Sequence, residues 1–269
     1  MTSATLRPAL SLVSALYGML SRMKIALISD LHANREAFEA VLEHAAKKGC
    51  EQHALLGDFV GYGGDPAWVV DVVMRLVNDG GLAVLGNHDS AVARGALPTM
   101  RDDARIVVEW TRGQLNATQL EFLAHLPLTC VQEDRLFVHA NAFEPSGFAY
   151  IQGRLEAMRS LHATNCRYTF CGHMHEPMLY HLSGTGKAGD FTPSPGLAIP
   201  LLPNRQWLVI PGSCGQPRDG NPAACYAVFD SGEGSVSFER VPYDHDAAAA
   251  RIRAAGLPDR LAERLTHGE

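Results

Sequence analysis

The sequence predicts an α/β fold built on a parallel sheet, and three observations predict it. Short apolar runs alternate with segments whose apolar residues recur at helical spacing. The first run, residues 25–28 (Ile-Ala-Leu-Ile), is apolar throughout, the pattern of a strand buried on both faces. Polar residues of metal-ligand type follow it at once, in Ser29-Asp30-Leu31-His32, and in such sheets ligands gather beyond the carboxyl ends of the strands. At 269 residues the chain suits one well-buried domain, and two would be small.

Taken in order, Asn34 is the expected N-cap of the first helix, with Phe38, Val41, Leu42 and Ala45 on its buried face and Gly49 as its stop. Residues 53–56 form the second strand, followed by Gly57-Asp58. Asp65-Pro66 supplies a cap and a first-turn proline, and Trp68, Val69, Val72, Val73, Leu76 and Val77 make the buried face of the second helix. Residues 82–85 are the third strand, ending in Gly86-Asn87-His88-Asp89. Successive strand–helix units favour one parallel sheet with right-handed crossovers. Residues 90–126 are expected to be helical and to cap the site. Ile106, Val107 and Trp110 lie on one face, continued by Leu115, Leu120, Leu123 and Leu126.

Strands are expected at 128–132 and 135–139 around the turn pair Glu133-Asp134, and at 168–171 running into Gly172-His173-Met174-His175. Residues 183–205, rich in glycine and proline, form an excursion. A strand at 207–210 precedes the loop from Pro211 to Gly220, residues 225–229 and 235–241 make a closing hairpin, and a helical tail follows. No linker divides residues 23–269, which are expected to form a single domain. Residues 1–22 carry no motif and are expected to be a dispensable tail, or an over-called gene start with Met23 as the initiator. Residues 9–20 resemble a weak secretory apolar stretch, but Met23-Lys24 leads straight into the first strand without a cleavage site.

A net charge of −6, with 46% apolar and 19% charged residues, argues against broad attraction to nucleic acid or anionic membrane, which need a basic face. No run is long enough to span a membrane. Cys50, Cys130, Cys166, Cys171, Cys214 and Cys225 contain no C-x-x-C pair, and a chain of this size needs no staples. They are expected to be reduced, mostly buried thiols of a cytoplasmic protein.

The chemistry lies at strand ends: Asp30-x-His32, Gly57-Asp58, Gly86-Asn87-His88-Asp89, His139 and Gly172-His173-x-His175. Alone, each has an ordinary explanation: Gly-Asp is usually a turn, and a histidine after a strand is usually a hydrogen-bonded surface residue. Together they should converge on one edge of one sheet. The donors are oxygen and nitrogen without thiolate, which suits Mn, Fe, Zn, Co or Ni better than Ca, Mg or a closed structural zinc site.

With these motifs in this order, residues 24–242 resemble the calcineurin-like metallophosphoesterases. Ser29-Asp30-Leu31-His32-Ala33-Asn34, Gly57-Asp58-Phe59-Val60-Gly61-Tyr62-Gly63 and Pro211-Gly212-Ser213 with Gln216-Pro217-Arg218 resemble the family's small bacterial and archaeal branch, which includes phosphodiesterases. The resemblance implies a four-layer α/β sandwich of two packed mixed β-sheets flanked by helices, in place of a single parallel sheet. It also implies two divalent transition-metal ions, manganese foremost. Asp30, His32 and His175 would hold one, Asn87, His139 and His173 the other, with Asp58 bridging and a metal-bridged hydroxide attacking phosphorus.

His88, left without a metal in that scheme, is the candidate to protonate the leaving oxygen or stabilise the transition state. Asp89 either orients its neighbours or caps a helix. The helix starting near Asn34 is expected to add its dipole to substrate binding. Arg218 either holds a substrate phosphate or makes a surface ion pair, and Tyr62 either stacks on a base or sugar or simply packs.

The expected activity is hydrolysis of a small phosphodiester. Phosphomonoesterase, protein phosphatase and dinucleoside polyphosphate hydrolase activities are the alternatives. A nuclease is opposed by the acidic balance, and a non-catalytic scaffold by the intact ligand types.

Overall fold

Alternation along one strand shows how the layers are arranged. In β1 (Lys24–Ile28), Ile25 and Leu27 enter one apolar cluster while Ala26 and Ile28 enter another. The first cluster lies between two sheets and the second lies under helices, so β1 is buried on both faces. The computed structural model describes residues 23–96 and 102–269.

One six-stranded sheet runs in the order β3 (Leu82–Ala83), β2 (Gln52–Leu55), β1, β11 (Ala224–Asp230), β12 (Ser235–Val241), β9 (Ile199–Pro200). The other runs β4 (Thr129–Gln132), β5 (Arg135–Val138), β6 (Tyr168–Phe170), β10 (Arg205–Pro211), β7 (Pro177–Ser183), β8 (Ala188–Phe191). Both are mixed. β1–β2–β3 and β5–β6–β10 are parallel blocks, and the remaining pairings are antiparallel. The single parallel sheet expected from strand–helix alternation is therefore corrected to two sheets, as the family resemblance implied.

Phe137, Phe170, Trp207 and Val209 of the second sheet face Leu27, Ala227, Phe229 and Phe238 of the first. Truncating one such buried ring typically costs about 3–5 kcal/mol, so the two blocks are held firmly in register.

Among the described residues, eight α-helices flank the sheets. α1 (Arg35–Lys47) and α2 (Pro66–Asn78) cover the first sheet, and α6 (Arg154–His162) covers the second. Asn34 caps α1 by accepting from Ala37 N at 3.1 Å, and the helix ends with Gly49 N on Ala46 O and Cys50 N on Ala45 O, both at 3.0 Å. Gly49 sits at φ 75°, where glycine carries no Cβ penalty. Pro66 opens α2 as expected, but Asp65 makes no side-chain cap; its carboxylate faces Arg35 and Arg251 instead, both at 3.6 Å.

Several expected boundaries move. The third strand is only two residues long, because Leu85 N turns away to Pro127 O. The 183–205 excursion contains β8 and β9, which extend one edge of each sheet. β7 and α6 had no counterpart in the sequence reading. Residues 90–126 form α3 (Asn87–Arg94), α4 (Asp102–Gln114) and α5 (Ala117–His125), with 97–101 outside the described residues. Ile106 is 50% exposed, and Val107 and Val108 make the buried face in its place. Val108, Leu115 and Leu123 join the helical core with α2, while Val107 and Trp110 of α4 pack in one cluster with Tyr62.

The C-terminal helices α7 (His245–Ala254) and α8 (Asp259–His267) pack on each other and on Val107. Arg251 Nε and Nη2 grip Glu36 Oε1 of α1 at 3.0 and 2.7 Å. The expected helical tail is thus docked on the body. The expected N-terminal tail, residues 1–22, lies outside the described residues.

Candidate metal centre

The parallel blocks of both sheets aim their carboxyl ends at one place. Beyond β1 and β2 the two loops run side by side: Asp30 N donates to Gly57 O at 3.1 Å, His32 N to Asp58 O at 2.9 Å and Ala33 N to Phe59 O at 2.9 Å. The loop after β10 ties the second sheet in, with Cys214 N on Ser29 O and Gly215 N on Asp30 O, both at 2.9 Å. The candidate ligands therefore meet at one end of two sheets, where the sequence suggested one edge of one sheet.

Asp30, His32, Asp58, His173 and His175 have φ of 55°, 46°, 55°, 68° and 64°. Left-handed backbone at non-glycine residues costs about 1–3 kcal/mol each and persists only where the surroundings over-determine it. The neighbouring glycines permit the crowding. A Cβ on Gly86 would collide with Asp58 Oδ1, and one on Gly172 with Ser29 Oγ.

The donor atoms fall into two groups. Asp30, His32 and His175 form one: His32 Nε2 and His175 Nε2 are 3.1 Å apart, and Asp30 Oδ1 lies 3.3 Å from His175 Nε2. Asp58, His139 and His173 form the other. His139 Nε2 lies 3.1 Å from His173 Nδ1, 3.1 Å from Asn87 Oδ1 and 3.5 Å from Asp58 Oδ2. Asp58 Oδ2 also lies 3.9 Å from His32 Nε2, so one oxygen faces both groups. Its other oxygen accepts the His88 amide at 2.9 Å.

Hydrogen bonding behind the ligands sets their tautomers. His32 Nδ1 meets Val60 O at 3.3 Å, His139 Nδ1 meets Leu56 O at 2.7 Å and His175 Nδ1 meets Gln216 O at 2.6 Å. A carbonyl only accepts, so each Nδ1 carries the proton, and a neutral ring then presents its Nε2 lone pair inward. Burial lowers the His32 and His175 pKa values well below 6.5; nearby cationic groups add to this, chiefly His175 at His32 and Arg218 at His175. Two neutral lone pairs 3.1 Å apart repel, and a cation between them removes the conflict. Asp30 Oδ1 is buried without a hydrogen-bond partner, and burial raises its carboxyl pKa to about 6. This orphaned oxygen beside two bare nitrogens fits a divalent metal ion.

The second group is charged differently. Burial alone would lower His139, but the Asp58 and Asp30 carboxylates outweigh it and push its pKa up to about 9. Burial lowers His173 to about 4, with His139 adding to the effect. Burial would raise Asp58, yet the histidines around it, His139 first, hold it well below the usual carboxylate range.

The other expected site residues divide. His88 is 20% exposed, with Nε2 at 4.0 Å from Asp58 Oδ2. Its ligand atom also falls within 4.8 Å of those of His32 and Asp58, so it reaches the rim of the centre. Burial lowers its pKa against the pull of Asp58, so its resting ring is neutral near pH 7.

Asp89 is fully buried, accepting Asp58 N at 2.8 Å and Gly86 N at 3.1 Å on one oxygen, and Phe59 N at 2.8 Å and Val60 N at 3.2 Å on the other. Burial and the Asp58 charge push its pKa to about 7, but four donors demand four lone pairs, so the geometry holds the carboxylate. Asp89 thus caps α3 and clamps the Asp58 loop. It touches only main-chain amides and acts by positioning its neighbours.

Asn34 is the N-cap of α1, as expected. Its oxygen caps α1 and its amide donates to Gly215 O at 2.8 Å and Tyr243 Oη at 3.2 Å, leaving nothing for a substrate. Tyr62 lies against the centre, its ring 4.6 Å from His32 and 4.4 Å from His88. Arg218 donates from Nη2 to Gln216 Oε1 at 3.0 Å, while its Nε is buried without a partner. Among the described residues Arg218 makes no ion pair.

Residues 23–234 match the family model of the calcineurin-like phosphoesterase superfamily domain. The chain belongs to that superfamily. This phosphoesterase is a metal-dependent phosphoric ester hydrolase, whose described residues include the His/Asp groups to bind metal. It is 33% identical over 250 residues to an uncharacterised protein of Methanocaldococcus jannaschii, covering 91% of this chain and 98% of the relative. The crystal structure of a metallophosphoesterase from Sphaerobacter thermophilus is 35% identical with a TM-score of 0.82, over 92% of this chain and 100% of that one. A hypothetical protein of Pyrococcus horikoshii shares the fold at 20% identity and a TM-score of 0.73, over 91% and 98% of the two chains.

Two parts of the phosphoesterase site escaped the sequence reading. The Gln216 carbonyl orients His175, and main-chain acceptors leave no trace in residue type. Tyr150 stacks on His173 with ring centroids 4.0 Å apart and planes at 11°. It stands in a stretch without periodicity, so nothing pointed to it.

The Asp89 clamp is testable by Asp89→Asn. An amide has one acceptor oxygen, so two of the four backbone donors lose their partner, at about 1–3 kcal/mol each. The variant should melt several degrees lower and bind Mn²⁺ more weakly. Unchanged thermal stability and metal affinity would refute the clamp.

Proposed function

We propose that this phosphoesterase hydrolyses small phosphodiesters with a pair of divalent transition-metal ions, manganese foremost. The observation that carries the reading is the pair of donor groups sharing Asp58 Oδ2, one with converging neutral imidazoles and an orphaned carboxylate oxygen. Asp30, His32 and His175 would hold one ion, and Asn87, His139 and His173 the other. Such ions, when bound, supply positive charge to a phosphate and lower the pKa of water.

The remaining chemistry belongs to the chain. Asp89 holds the Asp58 loop and the start of α3, and so sets where Asn87 and His88 stand. His88, neutral at rest, is a hydrogen-bond donor beside Asp58 for the phosphoryl or leaving oxygen. The half-buried Arg218 guanidinium, beside the Tyr62 ring, is a cationic donor for a non-reacting phosphate oxygen. The net charge of −6 and the six free cysteines support a small-molecule substrate and a cytoplasmic setting.

Hydrolysis of a model diester and the matching monoester by Mn-loaded protein tests the proposal. The diester should have the higher kcat/KM, and a clear preference for the monoester would identify a phosphatase instead. His88→Ala should lower kcat by about 10²–10⁴, the worth of a group that acts on the transition state, with metal content near the parent value. Parallel loss of metal would make His88 a ligand, and near-full activity on a poor leaving group would make it a bystander.

A further inference from the structure

The segment between β5 and α6 carries two aromatic rings to the metal centre. Phe148 stands 5.9 Å from His139, ring centroid to ring centroid, at 69°, and Tyr150 lies flat on His173 at 4.0 Å. Asn141, fully buried, fixes this segment. Its Nδ2 donates to Ala149 O at 2.9 Å and its Oδ1 accepts Glu144 N at 2.8 Å. Tyr150 is therefore held in place, yet it is 45% exposed. Since His173 covers one face of the ring, solvent meets the opposite face and the hydroxyl edge.

Tyr62 lines the centre from the other loops, edge-on to His88 at 4.4 Å, with the Arg218 guanidinium 5.9 Å from its ring. The centre is thus lined by two tyrosines and a half-buried guanidinium.

We infer that Tyr150 and Tyr62, with Arg218, form the subsite for the non-reacting side of the substrate, and that this subsite takes a planar aromatic group next to the phosphate. The inference rests on the phosphodiester reading above and names the class of diester. A rigid tyrosine offers a flat apolar face at little entropic cost, and its underside is already fixed by a ligand histidine. A stacked aromatic substituent covers the exposed face, while Arg218 meets the adjacent phosphate oxygen. A small alkyl group leaves the tyrosine face in water and gains none of this. Tyr150 is then a specificity-determining residue that touches the substrate without entering the chemistry.

Two diesters with one leaving group isolate the effect: phenyl 4-nitrophenyl phosphate and methyl 4-nitrophenyl phosphate. The Mn-loaded protein should favour the phenyl ester about tenfold in kcat/KM, the scale of one stacking contact, with the difference carried by KM. Tyr150→Ala should bring the phenyl-to-methyl ratio near one, and Tyr150→Phe, which keeps the ring, should preserve it. A ratio is insensitive to the fraction of protein that is loaded, so partial metal loss beside His173 does not imitate the result. A parent ratio near one, or a ratio that survives Tyr150→Ala, would overturn the subsite.

If the protein cleaves 4-nitrophenyl phosphate but neither diester, the diesterase reading fails on its own. Calorimetric affinities for phenylphosphonate and methylphosphonate then decide the subsite. A phenyl preference abolished by Tyr150→Ala upholds it, and equal affinities in the parent refute it.

Discussion

The Asp58 carboxylate is the constraint on which the centre depends. It is buried at the junction of two sheets, where a bare negative charge is costly, so positive charge must surround it. His139 provides this first, and Asp58 with Asp30 in turn raises His139 to about 9. A proton on His139 Nε2 and a metal ion thus compete for one lone pair. The protein folds with its ligands already converged, with a proton able to occupy part of the place of the cation.

That preorganisation is maintained by the main chain. Asp89 collects four amides from the Asp58 and Gly86 segments, the β1 and β2 loops pair with each other, and the loop after β10 binds both to the second sheet. The left-handed φ values at five candidate ligands are the visible strain of this arrangement. The inter-sheet layer of Phe137, Phe170, Phe229 and Phe238 resists any sliding that would relax it. The family-model match ends at residue 234, yet α7 beyond it reaches back through Arg251 to Glu36 and Asp65, flanking the same loops.

Most of the donor set was legible because each ligand follows a strand within one to five residues, and strand ends of parallel blocks must share an edge. The two-sheet architecture was not legible from periodicity. Ile25 and Leu27 meet the other sheet while Ala26 and Ile28 meet helices, and all four are apolar, so the pattern hides which neighbour each face has. β8 and β9 were hidden because glycine and proline can border a short edge strand as well as a loop. Asn34 and Asp89 were legible as a helix cap and an orienting residue; that Asp89 also gathers the amides of the Asp58 loop was not, because main-chain donors leave no trace in residue type. Tyr150 went unseen because its relation to His173 exists only in three dimensions.

The central claim is that two cation sites flank one shared carboxylate oxygen. Anomalous diffraction from crystals equilibrated with Mn²⁺ tests it most directly. The account predicts two peaks roughly 3.5–4 Å apart, both against Asp58 Oδ2. One should contact Asp30, His32 and His175, and the other Asn87, His139 and His173. A single peak at saturating metal, or a second one held by His88 in place of the His139 group, would contradict it.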